Sequence, residues 1–257
     1  MPELIEIETY RRQAEPVVGR TIAAVPTLDP LGLRGVHPEE IRAELIGLTV
    51  TAARRIGKLL LLDTDGPTIG LRFGMTGRLI VDDSAEIDRL EYGANRDDRA
   101  WDRTVVEFDR GSLRVNDPRR LGGVELDPDL ARLGADAASI TDSALASALG
   151  DSAATLKSRL LDQRRVAGLG NLLVDETLWR AGFDPRRAAG GLTAAEVTRL
   201  AATIVDTVAD LTQRGGSHTG DLQPARERGA SCPRDGAPLD RRTVGGRTTY
   251  LCPAHQR

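Results

Sequence analysis

The period of the hydrophobic pattern changes near Asp127, and that change divides the chain into two kinds of structure. Before it, short β-branched or leucine-rich runs at 21–25, 48–53, 59–63, 68–73, 78–81, 104–108 and 113–115 alternate with Gly, Asp and Pro. Runs of that length and punctuation predict an antiparallel sandwich or barrel. After it the chain is rich in Ala and Leu, and segments near 129–133, 142–149, 153–163, 171–181 and 193–213 carry helical spacing. An amphipathic helix is expected over 3–17, ended by Pro16 and Gly19, and a short one over 38–46. The stretch 214–229 reads as loop, and the tail as a β-hairpin. The expected fold is therefore α+β and two-lobed. Its parts are a β-sandwich domain over 1–126, a helical domain over 135–225 and a hairpin over 226–257.

A chain of 257 residues that is 40% hydrophobic can bury a core in each lobe. No apolar run approaches the ~20 residues a membrane span needs. The first residues carry Glu3, Glu6 and Glu8 where a secretory leader would be basic and then apolar. An intracellular protein, cytoplasmic and nucleoid-associated, is expected. The net charge of −3 argues against a polyanion partner, but the distribution does not. Residues 153–187 hold seven Lys/Arg against four acids, and residues 226–257 seven Arg against three. Basic charge gathered in two segments can make a nucleic-acid footprint on an acidic protein, because local potential is what acts within a Debye length of roughly 10 Å.

Four motifs carry chemistry. Removal of Met1 would make Pro2 a free secondary amine beside the carboxylic acid of Glu3, a nucleophile able to form an iminium. Pro and Glu are equally what a helix start prefers. In the tail, Cys232-x2-Asp235 and, sixteen residues on, Cys252-x2-His255 have the spacing of a four-ligand zinc hairpin; a packed hairpin without metal is the alternative. Gly168-Leu169-Gly170-Asn171 joins two helical segments, and its amides at a helix start suit a phosphate. Asn116-Asp117-Pro118-Arg119-Arg120-Leu121-Gly122 and Gly74-Met75-Thr76-Gly77 are turns that would aim Arg119, Leu121 and Met75 outward, as a wedge between base pairs.

Taken in order, Met1-Pro2-Glu3-Leu4, Gly57-Lys58, Gly74-Met75-Thr76-Gly77, Asp117-Pro118-Arg119-Arg120, Asp162-Gln163 with Gly168 to Asn171, and the closing hairpin with Gly246-Arg247-Thr248-Thr249 resemble formamidopyrimidine-DNA glycosylases over the whole chain. Endonuclease VIII is the sister group. The resemblance implies a bifunctional DNA glycosylase and abasic-site lyase, monomeric and acting on damaged double-stranded DNA. It implies an N-terminal β-sandwich, a helix–two-turn–helix motif and a zinc hairpin around a DNA cleft. By position, Pro2 would attack the sugar C1′, Glu3 would act as acid toward the opening ring, and Lys58 would assist catalysis and grip phosphate. Arg247 and Asn171 would clamp phosphates, with Arg103, Lys157 and Gly170 as further DNA contacts. Met75, Arg119 and Leu121 would fill the gap left by an everted nucleotide. One structural Zn²⁺ would sit on Cys232, Asp235, Cys252 and His255.

The chain departs from the family pattern at Ile5, where Pro is usual, at Arg72 and Arg103, where His is common, and at Leu121, where the wedge is aromatic. Asp235 and His255 replace two thiolates. The short 217–232 segment leaves little room for a loop capping a flipped oxidised purine, so oxoguanine excision is not expected, whereas abasic sites and ring-opened or other damaged bases need less from that loop. The competing expectation is a non-catalytic DNA-binding paralogue that keeps the wedge and clamp.

Overall fold

The computed structural model describes residues 2–33, 36–87, 90, 93 and 96–257, which fall into two compact units. Unit 1 comprises Pro2 and the described residues from Glu6 to Leu130; unit 2 comprises Glu3–Ile5 and Ala131–Arg257. The helix α1 (Leu4–Ala14) therefore begins among unit 2 residues and continues in unit 1. It stops three residues short of the expected end because the ring of Pro16 cannot follow an α-turn, and Glu15–Val17 tightens into a 3₁₀ turn.

Unit 1 is a sandwich of two four-stranded antiparallel sheets. Its strands are β1 (Ile22–Leu28), β2 (Val50–Ile56), β3 (Leu59–Thr64), β4 (Ile69–Arg72), β5 (Arg78–Val81), β6 (Asp102–Phe108), β7 (Ser112–Asn116) and β8 (Gly123–Leu126), with α2 (Pro38–Leu45) between β1 and β2. One sheet has the order β1-β6-β7-β5 and the other β2-β3-β4-β8. The strand β8 was not expected: its two apolar residues carry no pattern, and pairing with β4, Ile69 opposite Leu126 through Arg72 opposite Gly123, makes it a strand. Leu60, Leu62, Leu71, Leu79, Val106 and Val115 fill the core, joined by Ile7, Tyr10 and Ala14 of α1. The chain crosses between the sheets twice at one end, from β4 to β5 through 73–77 and from β7 to β8 through 117–122. Because β4 pairs with β8 and β5 with β7, these crossovers run side by side.

Unit 2 contains β9 (Ala135–Asp136), α3 (Asp142–Leu149), α4 (Leu156–Leu161), β10 (Val166–Ala167), α5 (Asn171–Ala181), α6 (Ala194–Gln213) and the hairpin β11 (Asp240–Val244) and β12 (Arg247–Leu251). Threonine caps start three helices: Thr141 accepts from Ala144 N, Thr155 from Ser158 N, and Thr193 with Glu196 forms a capping box on α6. Leu173, Val174 and Leu178 of α5 pack against Leu200, Ile204 and Leu211 of α6 and against Leu145, Leu156 and Leu160, with Leu4 and Ile5 in the same core. Gly245 and Gly246, with φ of 59° and 71°, form the two-residue turn of the hairpin, a conformation that needs left-handed backbone at both positions. Trp179, Leu222, Leu239 and the two cysteines make a third, smaller core under the hairpin.

Candidate functional site

The N-terminus of α5 holds the carboxylate of Glu3. Gly170 N (2.8 Å) and Leu173 N (3.1 Å) donate to Oε2, and Leu172 N (2.9 Å) donates to Oε1. Glu3 is 0% exposed. Three orphan amides and the positive end of the helix dipole stabilise the negative charge. The geometry requires glycine at 170, where a Cβ would lie 2.2 Å from Glu3 Cδ, and at 168, where φ is +111° and a Cβ would lie 2.4 Å from Leu4 Cδ1. The amides expected to receive a phosphate are thus taken by this chain's own carboxylate, and the Gly170 N–H is not available to DNA. Gln163 braces the turn: its Nε2 donates to the carbonyls of Leu161 and Leu169, and its Oε1 accepts from Gly168 N.

The hairpin is pinned beside the same helix start. Asn171 Nδ2 donates to Thr248 O (3.2 Å), and Lys157 Nζ donates to the same carbonyl (3.3 Å) and to Thr249 Oγ1 (2.8 Å). These bonds fix the backbone next to Arg247, whose side chain is exposed. Lys157 itself is 0% exposed and paired with Asp175 (2.6 Å), which also binds Arg226. Burial pushes the Lys157 ammonium down in pKa, against the pull of Asp175. Its expected role as a DNA contact does not fit this placement, since the ammonium presents nothing to solvent; it holds the hairpin.

In unit 1 the structure brings Met75, Arg119 and Leu121 onto the two adjacent crossovers. Leu121 is 50% exposed, Arg119 is exposed and Met75 half-buried. Arg120 faces elsewhere: with φ of 55° it makes a bidentate pair with Asp29 (2.7 and 2.6 Å), and its guanidinium holds the Asp29 carboxyl below the usual carboxylate range. Arg103, expected on DNA, instead donates Nε to Asp117 O (2.7 Å) and lies 3.9 Å from Asp29. Arg72 pairs with Glu125 across β4 and β8. Lys58 occupies the two-residue turn between β2 and β3, behind Gly57 at φ 54°, and is half-buried. Pro2 is buried, and Met1 lies outside the described residues.

Cys232, Asp235, Cys252 and His255 form the cluster that could bind a metal, with donor atoms all within 4.8 Å of one another. Two equivalent knuckles present them: Gly236 N donates to Cys232 O (2.9 Å) and Gln256 N to Cys252 O (3.0 Å). His255 Nε2 lies 3.2 Å from Trp179 O. A carbonyl only accepts, so Nε2 carries the proton, and Nδ1, 2.6 Å from Asp235 Oδ2, would be the nitrogen offered to a metal. Trp179 Nε1 donates to Cys232 Sγ (3.3 Å), and Gln256 ties the second knuckle to Phe183 O (2.9 Å). His255 holds the Asp235 carboxyl well below its ordinary range, while burial pushes the Cys252 thiol up. Two sulfurs, an imidazole and a carboxylate within tetrahedral reach suit a borderline-soft dication, whose binding displaces the thiol protons.

Residue-type reasoning passed over Asp117, Thr76, Gln163, Trp179 and Gln256. The first three lie inside these motifs, each a polar side chain with several possible hydrogen-bond partners in one turn.

Two family models match the chain: the formamidopyrimidine-DNA glycosylase N-terminal domain over residues 1–124 and the formamidopyrimidine-DNA glycosylase H2TH domain over 133–222. Formamidopyrimidine-DNA glycosylases of Paracoccus denitrificans and Geobacillus kaustophilus are each 36% identical over 286 aligned residues that span 100% of both chains. Among solved structures, the Lactococcus lactis formamidopyrimidine-DNA glycosylase bound to DNA containing an abasic site is 28% identical with a TM-score of 0.83, and a variant of it in complex with a Fapy-dG containing DNA is 28% identical with a TM-score of 0.84. Each covers 100% of both chains.

Proposed function

The chain belongs to the formamidopyrimidine-DNA glycosylase family, and from that premise we propose that it is a bifunctional DNA glycosylase and abasic-site lyase of base excision repair. Its substrate is damaged double-stranded DNA, and it works as an intracellular monomer. Among the described residues no helix is long and apolar enough to cross a membrane.

The observation that carries the reading is the buried carboxylate of Glu3, oriented by three amides on the residue next to Pro2 in the chain. With Met1 removed, the Pro2 nitrogen adds to C1′ of the damaged nucleotide as the base leaves with its bonding electrons, taking up a proton. Glu3 takes the proton from the amine and passes it to O4′ as the C1′–O4′ bond breaks, which opens the sugar and leaves an iminium, cationic without further protonation. The iminium acidifies C2′, a C2′ proton departs, and the C3′–O bond breaks to release the 3′ phosphate. A second elimination can release the 5′ phosphate, and water hydrolyses the iminium to free Pro2. Glu3 exchanges a proton with the opening sugar and offsets the cationic intermediates. Lys58 assists at the sugar and binds phosphate. Arg247, on backbone fixed through Thr248, and Asn171 bind the phosphates flanking the lesion. Met75, Arg119 and Leu121 enter the stack and hold the damaged nucleotide out.

Cys232, Asp235, Cys252 and His255 would hold one Zn²⁺, which would supply a structural crosslink at the hairpin base. The 217–231 segment supports a preference for abasic sites and ring-opened bases over 8-oxoguanine: Glu176 accepts from Asp221 N and Leu222 N (3.0 Å each) and Leu222 is buried, leaving little chain to fold over a base.

A panel of duplexes carrying an abasic site, a formamidopyrimidine, an oxidised pyrimidine or 8-oxoguanine tests the proposal. Incision at the first two, lost in Pro2→Gly, is expected. Tight binding to damaged duplex with no incision of any member would instead establish the non-catalytic paralogue.

A further inference from the structure

The two crossovers that carry the wedge are tied together by one carboxylate. Asp117 is 0% exposed and Thr76 1% exposed. Thr76 Oγ1 donates to Asp117 Oδ1 at 2.5 Å, from one crossover to the other. Within its own crossover, Asp117 accepts from Arg119 N on Oδ1 (3.1 Å) and from Leu121 N (2.7 Å) and Gly122 N (2.9 Å) on Oδ2. Its backbone is held as well: its N–H donates to Trp101 O (2.8 Å), and its carbonyl accepts from Arg103 Nε. The crossovers also touch through Gly74, where a Cβ would lie 2.6 Å from the backbone carbon of Leu121. Four donors on two oxygens need an acceptor-only group; Asn would turn an N–H₂ toward N–H donors. Asp117 thus fixes the backbone at both exposed wedge residues and, through Thr76, the residue after Met75.

We propose that Asp117 is the positioning residue of the wedge: through Thr76 it locks the Met75 crossover to the Arg119 and Leu121 crossover, so that the three side chains enter a duplex as one body. The proposal rests on the reading that these side chains open DNA. Without the lock, two short loops would have to be ordered separately on binding, and the gain from filling the gap would be offset by that ordering.

The variants are Thr76→Val, which keeps shape and removes the donor, Thr76→Ser, which restores it, and Asp117→Asn. Two readouts are used. In the first, 2-aminopurine beside a tetrahydrofuran abasic analogue reports unstacking in a duplex at saturating protein. In the second, borohydride trapping is measured on abasic duplex and on the same strand unpaired. Leaving Asp117 one donor short is expected to lower duplex trapping by Thr76→Val about tenfold, the rate equivalent of a buried acceptor losing its partner at about 1.4 kcal/mol. Trapping on the unpaired strand falls less than twofold, the 2-aminopurine signal drops, and Thr76→Ser recovers both. Asp117→Asn moves the same way and further, with thermal unfolding followed in parallel. The proposal is overturned if Thr76→Val unstacks 2-aminopurine as wild type does, if trapping falls equally on paired and unpaired strands, or if Thr76→Ser behaves as Thr76→Val. A wild-type protein that traps neither DNA removes the lyase reading, and the 2-aminopurine comparison then decides the wedge by itself.

Discussion

Adding one methyl group at Gly170 should dislodge Glu3. In Gly170→Ala the new Cβ would lie 2.2 Å from Glu3 Cδ, 2.3 Å from Oε1 and 2.6 Å from Cγ, so the carboxylate must move by about an ångström to reach van der Waals contact. Its bonds to three amides, now 2.8 to 3.1 Å, cannot survive that shift together. Backbone strain does not confuse the result, because Gly170 has φ of −116° and ψ of −166°, values any residue adopts. A hydrogen bond to a charged group is worth about 1.5–3 kcal/mol net, so losing two gives a cost of about 3 kcal/mol or more. At roughly 2–4 °C per kcal/mol, Tm should fall by roughly 6–12 °C. If Glu3 acts at the sugar, borohydride trapping on abasic duplex should fall about a hundredfold, the rate equivalent of about 3 kcal/mol. Gly191→Ala is the control, since the nearest atom to its Cβ is 4.0 Å away. A Gly170→Ala protein that matches this control in both Tm and trapping would refute the account of Glu3.

Arg247→Ala should weaken binding to all duplexes alike and reduce the slope of log affinity against log salt by about 1, as loss of a single phosphate contact requires; an unchanged slope counts against that role. Lys157→Met leaves Asp175 buried with only Arg226 as counter-charge and should cost about 3–5 kcal/mol in thermal unfolding, whereas a loss of DNA affinity at unchanged stability would return Lys157 to the DNA surface. Purified protein should contain one Zn²⁺ by elemental analysis, reduced in Asp235→Ala, with chelation changing Trp179 fluorescence because its indole donates to Cys232; metal-free wild type overturns the site. Arg187 lowers the Glu196 carboxyl from 4.5 to about 2, so this pair stabilises the fold above pH 4.5 and the contribution is lost as the pH falls toward 2. Glu196→Gln should therefore flatten the acid limb of Tm against pH in that window, and an unaltered limb contradicts the coupling.

Helices α3 and α5 were legible to the residue because their start and stop signals are local: Thr141 before the first and Gly182, with φ of 75°, after the second. The strands of unit 1 were legible as runs, but β8 and the two-residue β9 and β10 exist only through their partners and leave no periodicity of their own. Within the candidate site, sequence marked the residues but not their partners. Arg119, Leu121 and Arg247 are exposed, as the DNA-facing roles proposed for them require. Lys157, Gly170 and Arg103 bond within the protein, which sequence does not reveal, because a basic side chain or a free amide in a DNA-binding motif looks the same whether it faces a phosphate or its own protein. Asp175, Glu3 and Asp117 take those donors, and only the folded chain brings each pair together.

The central claim is that the nitrogen of Pro2 is the nucleophile. The direct measurement is to reduce the protein with borohydride on abasic duplex, digest the covalent product and locate the sugar remnant by mass. The remnant should lie on the N-terminal peptide, on Pro2 with Met1 removed, and N-acetylated protein should give none. An adduct on Lys58, or no adduct from protein whose N-terminus is shown to be Pro2, would contradict the mechanism.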